Sequence, residues 1–96
     1  MFFTNESDIA RWNRAVIAVI SGTRCDADLS QRELARRLHV TRNTIANIET
    51  GRRVVGAREL PIIALALGTS PEVLFKRIVL WYTTLSPPPS KVSSLS

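Results

Sequence analysis

Only one cysteine, Cys25, and one histidine, His39, occur in the 96 residues. A lone cysteine excludes an internal disulfide, and a single histidine leaves no cluster for a conventional zinc site. No metal or cofactor is expected. No run approaches the ~20 apolar residues of a membrane span, and the start, MFFTNESD, lacks the basic region and apolar core of a secretory signal. A soluble, cytoplasmic protein with no membrane partner is expected. There is no glycine-rich phosphate loop and no carboxylate pair that a helical pattern would bring together, so an enzyme is not expected either.

Acidic residues are the scarcer charge, and the net charge of +5 is unevenly placed. Residues 1–29 carry −1 (three basic, four acidic), residues 30–59 carry +4 (seven basic, three acidic), and residues 60–96 carry +2. Eleven of the thirteen basic residues are arginine, whose planar fork makes bidentate contacts to phosphate and guanine that a lysine cannot. Composition alone leaves surface arginine as an equal reading. The motif in the middle of the chain decides for nucleic acid.

That motif is QRELARRLHVTRNTIANIE, Gln31 to Glu49. Leu34, Ala35, Leu38, Val40, Ile45 and Ile48 are spaced to lie on the inward faces of two short helices joined by a tight turn. Arg42, Asn43, Thr44 and Asn47 then face out. Ala35 suits a steep helix crossing, and Val40 is expected to plug the gap in the turn. Ser30 and Glu33 read as a capping box that starts one helix at Gln31. Thr41 is the N-cap of the next, which runs from Arg42 to about Thr50 and stops at Gly51. This is the pattern of a helix-turn-helix.

LSQRELARRL, VTRNTIANIETGRR and IIALALGTSPEVLF together resemble the phage repressor and Cro (XRE-like) helix-turn-helix family, from about Val16 to Phe75. The resemblance implies an all-α, five-helix, lambda-repressor-like DNA-binding domain. It also implies that Arg24 pairs with Glu49, tying the first helix to the recognition helix, and that Gln31 grips phosphate and braces the reading residues. Two positions depart from the family, which often has glycine where this chain has Asp28 and His39. Both residue types tolerate the left-handed conformation better than most, so His39 is expected at positive φ.

The rest of the chain fills out that frame. Ile9, Trp12, Val16, Ile20 and Thr23 mark a first helix from Glu6 or Ser7, which either ends near Ser21, ahead of Gly22, or, as the register of the resemblance favours, continues to about Cys25. Leu60, Ile63, Ala64 and Leu67 mark a fourth, which Pro61 should delay until near Leu60 and Gly68 should end. Ser70, Pro71 and Glu72 start a fifth, running to about Thr83; an extended edge over 77–84 is the alternative. Its residues are apolar nearly all round. The surplus implies a homodimer interface of Leu74, Ile78, Trp81, Tyr82 and Leu85, with Trp81 and Tyr82 as anchors. Residues 1–85 form the domain. Phe2 and Phe3 are free to pack back onto it, and SPPPSKVSSLS, residues 86–96, should be a disordered tail.

On double-stranded DNA, Arg42 and Asn43, with Asn47 and Thr44, would read bases in the major groove. Gln31, Thr41, Arg52 and Arg53 would hold phosphates. One such domain covers few base pairs, so a homodimeric repressor on a palindromic operator is expected. Three other readings stay open: an antitoxin with a toxin partner, a restriction-modification controller, and an interaction module that has lost DNA binding.

Overall fold

The computed structural model describes residues 6–85. The expectations for Phe2, Phe3 and the 86–96 tail lie outside them. Five helices follow one another: α1 (Glu6–Asp26), α2 (Gln31–Leu38), α3 (Arg42–Glu49), α4 (Glu59–Ala66) and α5 (Pro71–Leu85), with no strand among the described residues. The extended alternative for 77–84 is thereby replaced by helix. In α5 the Thr83 and Thr84 hydroxyls donate back to the Val79 and Leu80 carbonyls.

The first four helices end in the same way. At each C-terminus a residue at positive φ reverses the chain: Asp28 (59°), His39 (57°), Gly51 (84°) and Gly68 (83°). The following amide then reaches back to the carbonyl five residues earlier, as in Leu29 N to Arg24 O at 3.0 Å, Val40 N to Ala35 O at 3.0 Å, Arg52 N to Asn47 O at 2.9 Å and Thr69 N to Ala64 O at 3.0 Å. These are Schellman closures, which satisfy carbonyls the helix leaves open. Asp28 and His39 serve where glycine is usual, each at some conformational cost.

At Gly51 the freedom of glycine is needed. A Cβ there would stand 3.3 Å from Ile17 Cδ1 in addition to the left-handed backbone. Gly51→Ala is therefore expected to destabilise the domain by about 1–2 kcal/mol. In a thermal melt that is a loss of at least about 4 °C; an unchanged melting temperature would count against the strain.

The helix starts are more varied. Ser30 Oγ accepts from Glu33 N at 2.9 Å, but the reciprocal half of the expected capping box is missing. The Glu33 carboxylate turns instead to Arg36 (Nε–Oε1 3.0 Å) and Arg37 (3.3 Å). The hydrogen bond from Arg36 is the main reason that this carboxyl is held down to about 2. Thr41 and Ser70 cap α3 and α5 through the amides of Thr44 and Val73. α4 starts at Glu59, within a residue of the start expected near Leu60, so that Pro61 falls in its first turn. As the third helical residue, it lacks an N–H that would have had no intrahelical acceptor.

Ala15, Val16, Val19 and Ile20 of α1 meet Leu34 and Ala35 of α2, Ile45 and Ile48 of α3, Ile63, Ala64 and Leu67 of α4, and Leu74 and Ile78 of α5 in one core. Two expectations are corrected there. Ile9 is 45% exposed and Val40 40% exposed; Val40 rims the turn instead of plugging it.

The expected dimer surface on α5 also changes. Leu74 and Ile78 have no exposed surface, because the α5 face that carries them packs inward on α1. Tyr82 is half-buried against α1, its ring 5.5 Å from that of Trp12, with the Arg11 guanidinium 4.6 Å from its ring centroid and an Arg11 N–H donating to its hydroxyl at 2.9 Å. Trp81 is half-buried against the core. The side chain of Leu85 lies outside those described.

Candidate nucleic-acid interface

The two helices of the motif are held by one buried polar knot. Arg24 of α1 donates Nε to Glu49 Oε2 at 2.7 Å and Nη2 to Glu49 Oε1 at 3.1 Å, while its Nη1 reaches the Leu29 carbonyl at 2.7 Å. Gln31 Nε2, at the start of α2, donates to the same Glu49 Oε1 at 2.9 Å. Side-chain exposure is only 13% for Arg24 and 8% for Glu49.

Burial by itself would push the Glu49 carboxyl up. Hydrogen bonds from Arg24 and Gln31, the Arg24 charge and a bond with Ser21 outweigh it and leave the group below its ordinary range. The same hydrogen bond raises the Arg24 guanidinium. The last residue of α3 is thus clamped to the end of α1 and the start of α2. Such a bidentate charge-assisted contact fixes direction as well as distance.

Around the knot the surface is cationic. Arg24, Ser30, Gln31, Arg32 and Arg42 line one open cleft where the N-termini of α2 and α3 come together. Gln31 uses one of its two amide N–H donors on Glu49, so the other remains for a ligand. Arg32 and Arg42 are exposed, and among the described residues neither makes an ion pair with an acid. Backbone amides at helix N-termini add partial positive charge. Phosphate is the group this cleft suits.

Each residue anticipated from the sequence has a definite place. Arg42 and Asn43 are exposed on the first turn of α3, and Asn47 is half-buried one turn on. Thr44 is half-buried, its hydroxyl 3.1 Å from that of Thr41, so each threonine is partly occupied by the other. Arg52 is exposed, and its amide is fixed to the Asn47 carbonyl, which sets where its side chain leaves the end of α3. Arg53 is turned to Glu59, whose carboxylate also accepts from Gly56 N at 2.9 Å. The Arg53 bond is the main cause that lowers this carboxyl. A phosphate at Arg53 has to compete with that pair.

Sequence reasoning missed Arg32 and Glu59. Arg32 had a signal, since it follows Gln31 in the first turn of α2. Glu59 lies six residues beyond Arg53, and nothing in that spacing pointed to the pair. Among the described residues no group of three or more His, Cys, Asp or Glu is placed to hold a metal ion, and no helix is long and apolar enough to cross a membrane.

A short helix presenting exposed arginine and asparagine, set at the end of a cationic cleft and clamped from behind, defines a helix-turn-helix DNA-binding domain. The helix-turn-helix family profile matches residues 23–74, more than half of the sequence. The chain belongs to that family, the DNA-binding transcription regulators of the Cro/C1 (XRE-like) type. Two crystal structures of the clp gene regulator ClgR from Corynebacterium glutamicum are similar to it. One is 25% identical with a TM-score of 0.68, over 78% of this chain and 96% of that one. The other is 23% identical with a TM-score of 0.72, over 88% and 89%. No curated protein matches the sequence significantly.

Proposed function

We propose that the chain is a sequence-specific repressor that works in the cytoplasm as a homodimer on a palindromic operator, with α3 in the major groove. Arg42 and Asn43 would read base edges, arginine suiting the O6/N7 edge of guanine and asparagine the N6/N7 edge of adenine. Asn47 and Thr44 would extend the reading one turn along. Gln31, Thr41 and Arg52, joined by Arg32, would hold phosphates and set the register, with Arg53 contributing once it leaves Glu59. The observation that carries this reading is the shared cleft. Arg42 lines the same open surface as Gln31 and Arg32, so one DNA strand can meet a base reader and two phosphate holders at once. The likeness to ClgR, a clp gene regulator, supports regulation over the antitoxin and interaction-module readings.

A palindrome follows from the small footprint. A single module discriminates few base pairs against genomic background, and two copies related by a two-fold axis double the site. The test is selection from a randomised duplex library at about 50 and 200 mM salt, where phosphate-dominated binding should weaken steeply. Recovery of an inverted repeat is expected. Sequence-blind binding at both salts would defeat the proposal.

A further inference from the structure

Residues 30–59, the basic stretch of the chain, contain three acids: Glu33, Glu49 and Glu59. Glu33 takes Arg36 and Arg37 of its own helix, and Glu49 is buried in the knot. Glu59 takes Arg53, which belongs to the phosphate-holding set. Arg53 Nη1 donates to Glu59 Oε1 at 3.3 Å, and Nη2 donates to Oε2. Two nitrogens of the fork thus face two oxygens of one anion, which is how arginine meets a phosphate.

The carboxylate is held from the other side as well. Gly56 N–H donates to Glu59 Oε1 at 2.9 Å, and Glu59 N–H donates back to the Gly56 carbonyl at 3.0 Å. An exposed ion pair ordinarily loses much of its Coulomb gain to the ordering of two long side chains. Here the turn has already ordered one of them.

The pair also lies beside the reading helix. Arg53 and Glu59 line one groove with Thr44 of α3, and their side chains are 41% and 37% exposed. Arg52, the preceding residue, is exposed and makes no ion pair among the described residues. Of two adjacent arginines, one is open to a phosphate and the other already holds an anion.

We propose that Glu59 limits the affinity of this surface for DNA: its carboxylate takes the seat of a backbone phosphate on Arg53 and removes one phosphate contact from every complex. The inference rests on the DNA-binding surface proposed above and fixes the part of Arg53 in it. For Arg53 to reach a phosphate, a two-bond contact has to break and a carboxylate is stranded beside a polyanion. The phosphate offers the same two bonds, so the exchange gains little on any sequence. Base reading by Arg42 and Asn43 is untouched, and affinity falls without a change of preference. Non-specific complexes are held by phosphate contacts, so one contact fewer lets the protein leave them sooner.

Quantitative gel shifts of the full chain on preferred and scrambled duplexes, from about 50 to 200 mM salt, are the test. Glu59→Gln keeps an acceptor for Gly56 N–H and removes the charge. It should tighten both duplexes roughly two- to fivefold at about 100 mM salt, the equivalent of an exposed ion pair, and leave the ratio between them as it was. Both salt slopes should steepen by about 0.9, the value of one added phosphate contact. Arg53→Ala in the Glu59→Gln background should return slope and affinity to the wild-type values. Glu72→Gln makes the same change of charge on α5, outside the motif, and should alter neither.

Wild-type slopes in Glu59→Gln overturn the proposal, as does a gain confined to one duplex. An equal gain in Glu72→Gln makes net charge the cause, and a gain that survives Arg53→Ala makes Glu59 repel DNA directly; either result overturns it too. A wild type with no preference between the duplexes defeats the operator reading alone, because the slopes still decide the part of Glu59. A wild type that binds neither duplex defeats the DNA-binding surface and this inference with it.

Discussion

Replacing Glu49 with alanine is expected to lower the melting temperature at pH 7 by about 12 °C or more. The carboxylate is 8% exposed and accepts from Arg24 twice and from Gln31 once. Its removal leaves the Arg24 guanidinium, 13% exposed, with only the Leu29 carbonyl of its present partners. Breaking one side of a buried pair costs ~3–5 kcal/mol because the other charge stays buried, and each kcal/mol shifts a domain of this size by ~4–8 °C. Glu49→Gln keeps the shape and an acceptor but not the charge, and should fall between. Removing both members, as in Arg24→Met with Glu49→Leu, should cost less than either alanine substitution alone. If Glu49→Ala melts like the wild type, the knot is not what holds α3.

The same carboxyl makes the fold acid-sensitive in a defined direction. Glu49 sits below its ordinary range in the folded chain, so its contribution is fully present above the unfolded value and disappears as pH falls through the folded one. Glu33, held at about 2, and Glu59 act in the same sense. Melting temperature should thus be level above about pH 5 and decline on acidification. The decline should be shallower in Glu49→Gln, which has lost one of the linked groups.

The second large effect is on recognition. Arg42→Ala is expected to weaken the preferred operator by ~1–3 kcal/mol, roughly 5- to 150-fold, and to relax preference at the base it reads. Arg42 is on the first turn of α3 and exposed, so its loss should leave the melt almost unchanged. Arg52→Ala is expected to behave differently. It should weaken all sequences alike and reduce the slope of log affinity against log salt by about one. Quantitative gel shifts of wild type and both variants on preferred and scrambled duplexes separate the two. Equal losses on both duplexes for Arg42→Ala would remove it from base reading.

Much of this architecture was legible one residue at a time. Thr41 and Ser70 cap helices because a hydroxyl just ahead of a helical run has a free amide to serve, and Gly51 and Gly68 end helices because left-handed backbone disfavours other residues. Those rules are local. The Arg24–Glu49 pair spans 25 residues, and only resemblance to the family connected the two in advance. The Arg53–Glu59 pair had no such guide, and Gln31 was assigned to phosphate with no sign that one of its N–H groups is held by Glu49.

α5 shows most clearly where sequence reading fails. Leu74 and Ile78 were natural candidates for a partner surface, because the helix is apolar nearly all round and periodicity cannot say which face turns inward. On α4, by contrast, the helical spacing of Leu60, Ile63, Ala64 and Leu67 picked out the face that packs on the core and left Ile62 and Leu65 outside it. Val40 follows the apolar pattern of the motif, yet it lies at the rim.

By itself, then, the sequence determined the helix caps at Ser30, Thr41 and Ser70, the stops at Gly51 and Gly68 and the outward set of Arg42 and Asn43, since propensity, capping and periodicity act within a few residues of each position; the five-helix frame and the left-handed His39 came from resemblance to the family. Only the tertiary structure decided which apolar surfaces were consumed in the core and which charges were neutralised. Burial and ion pairing depend on what other segments bring to the same place.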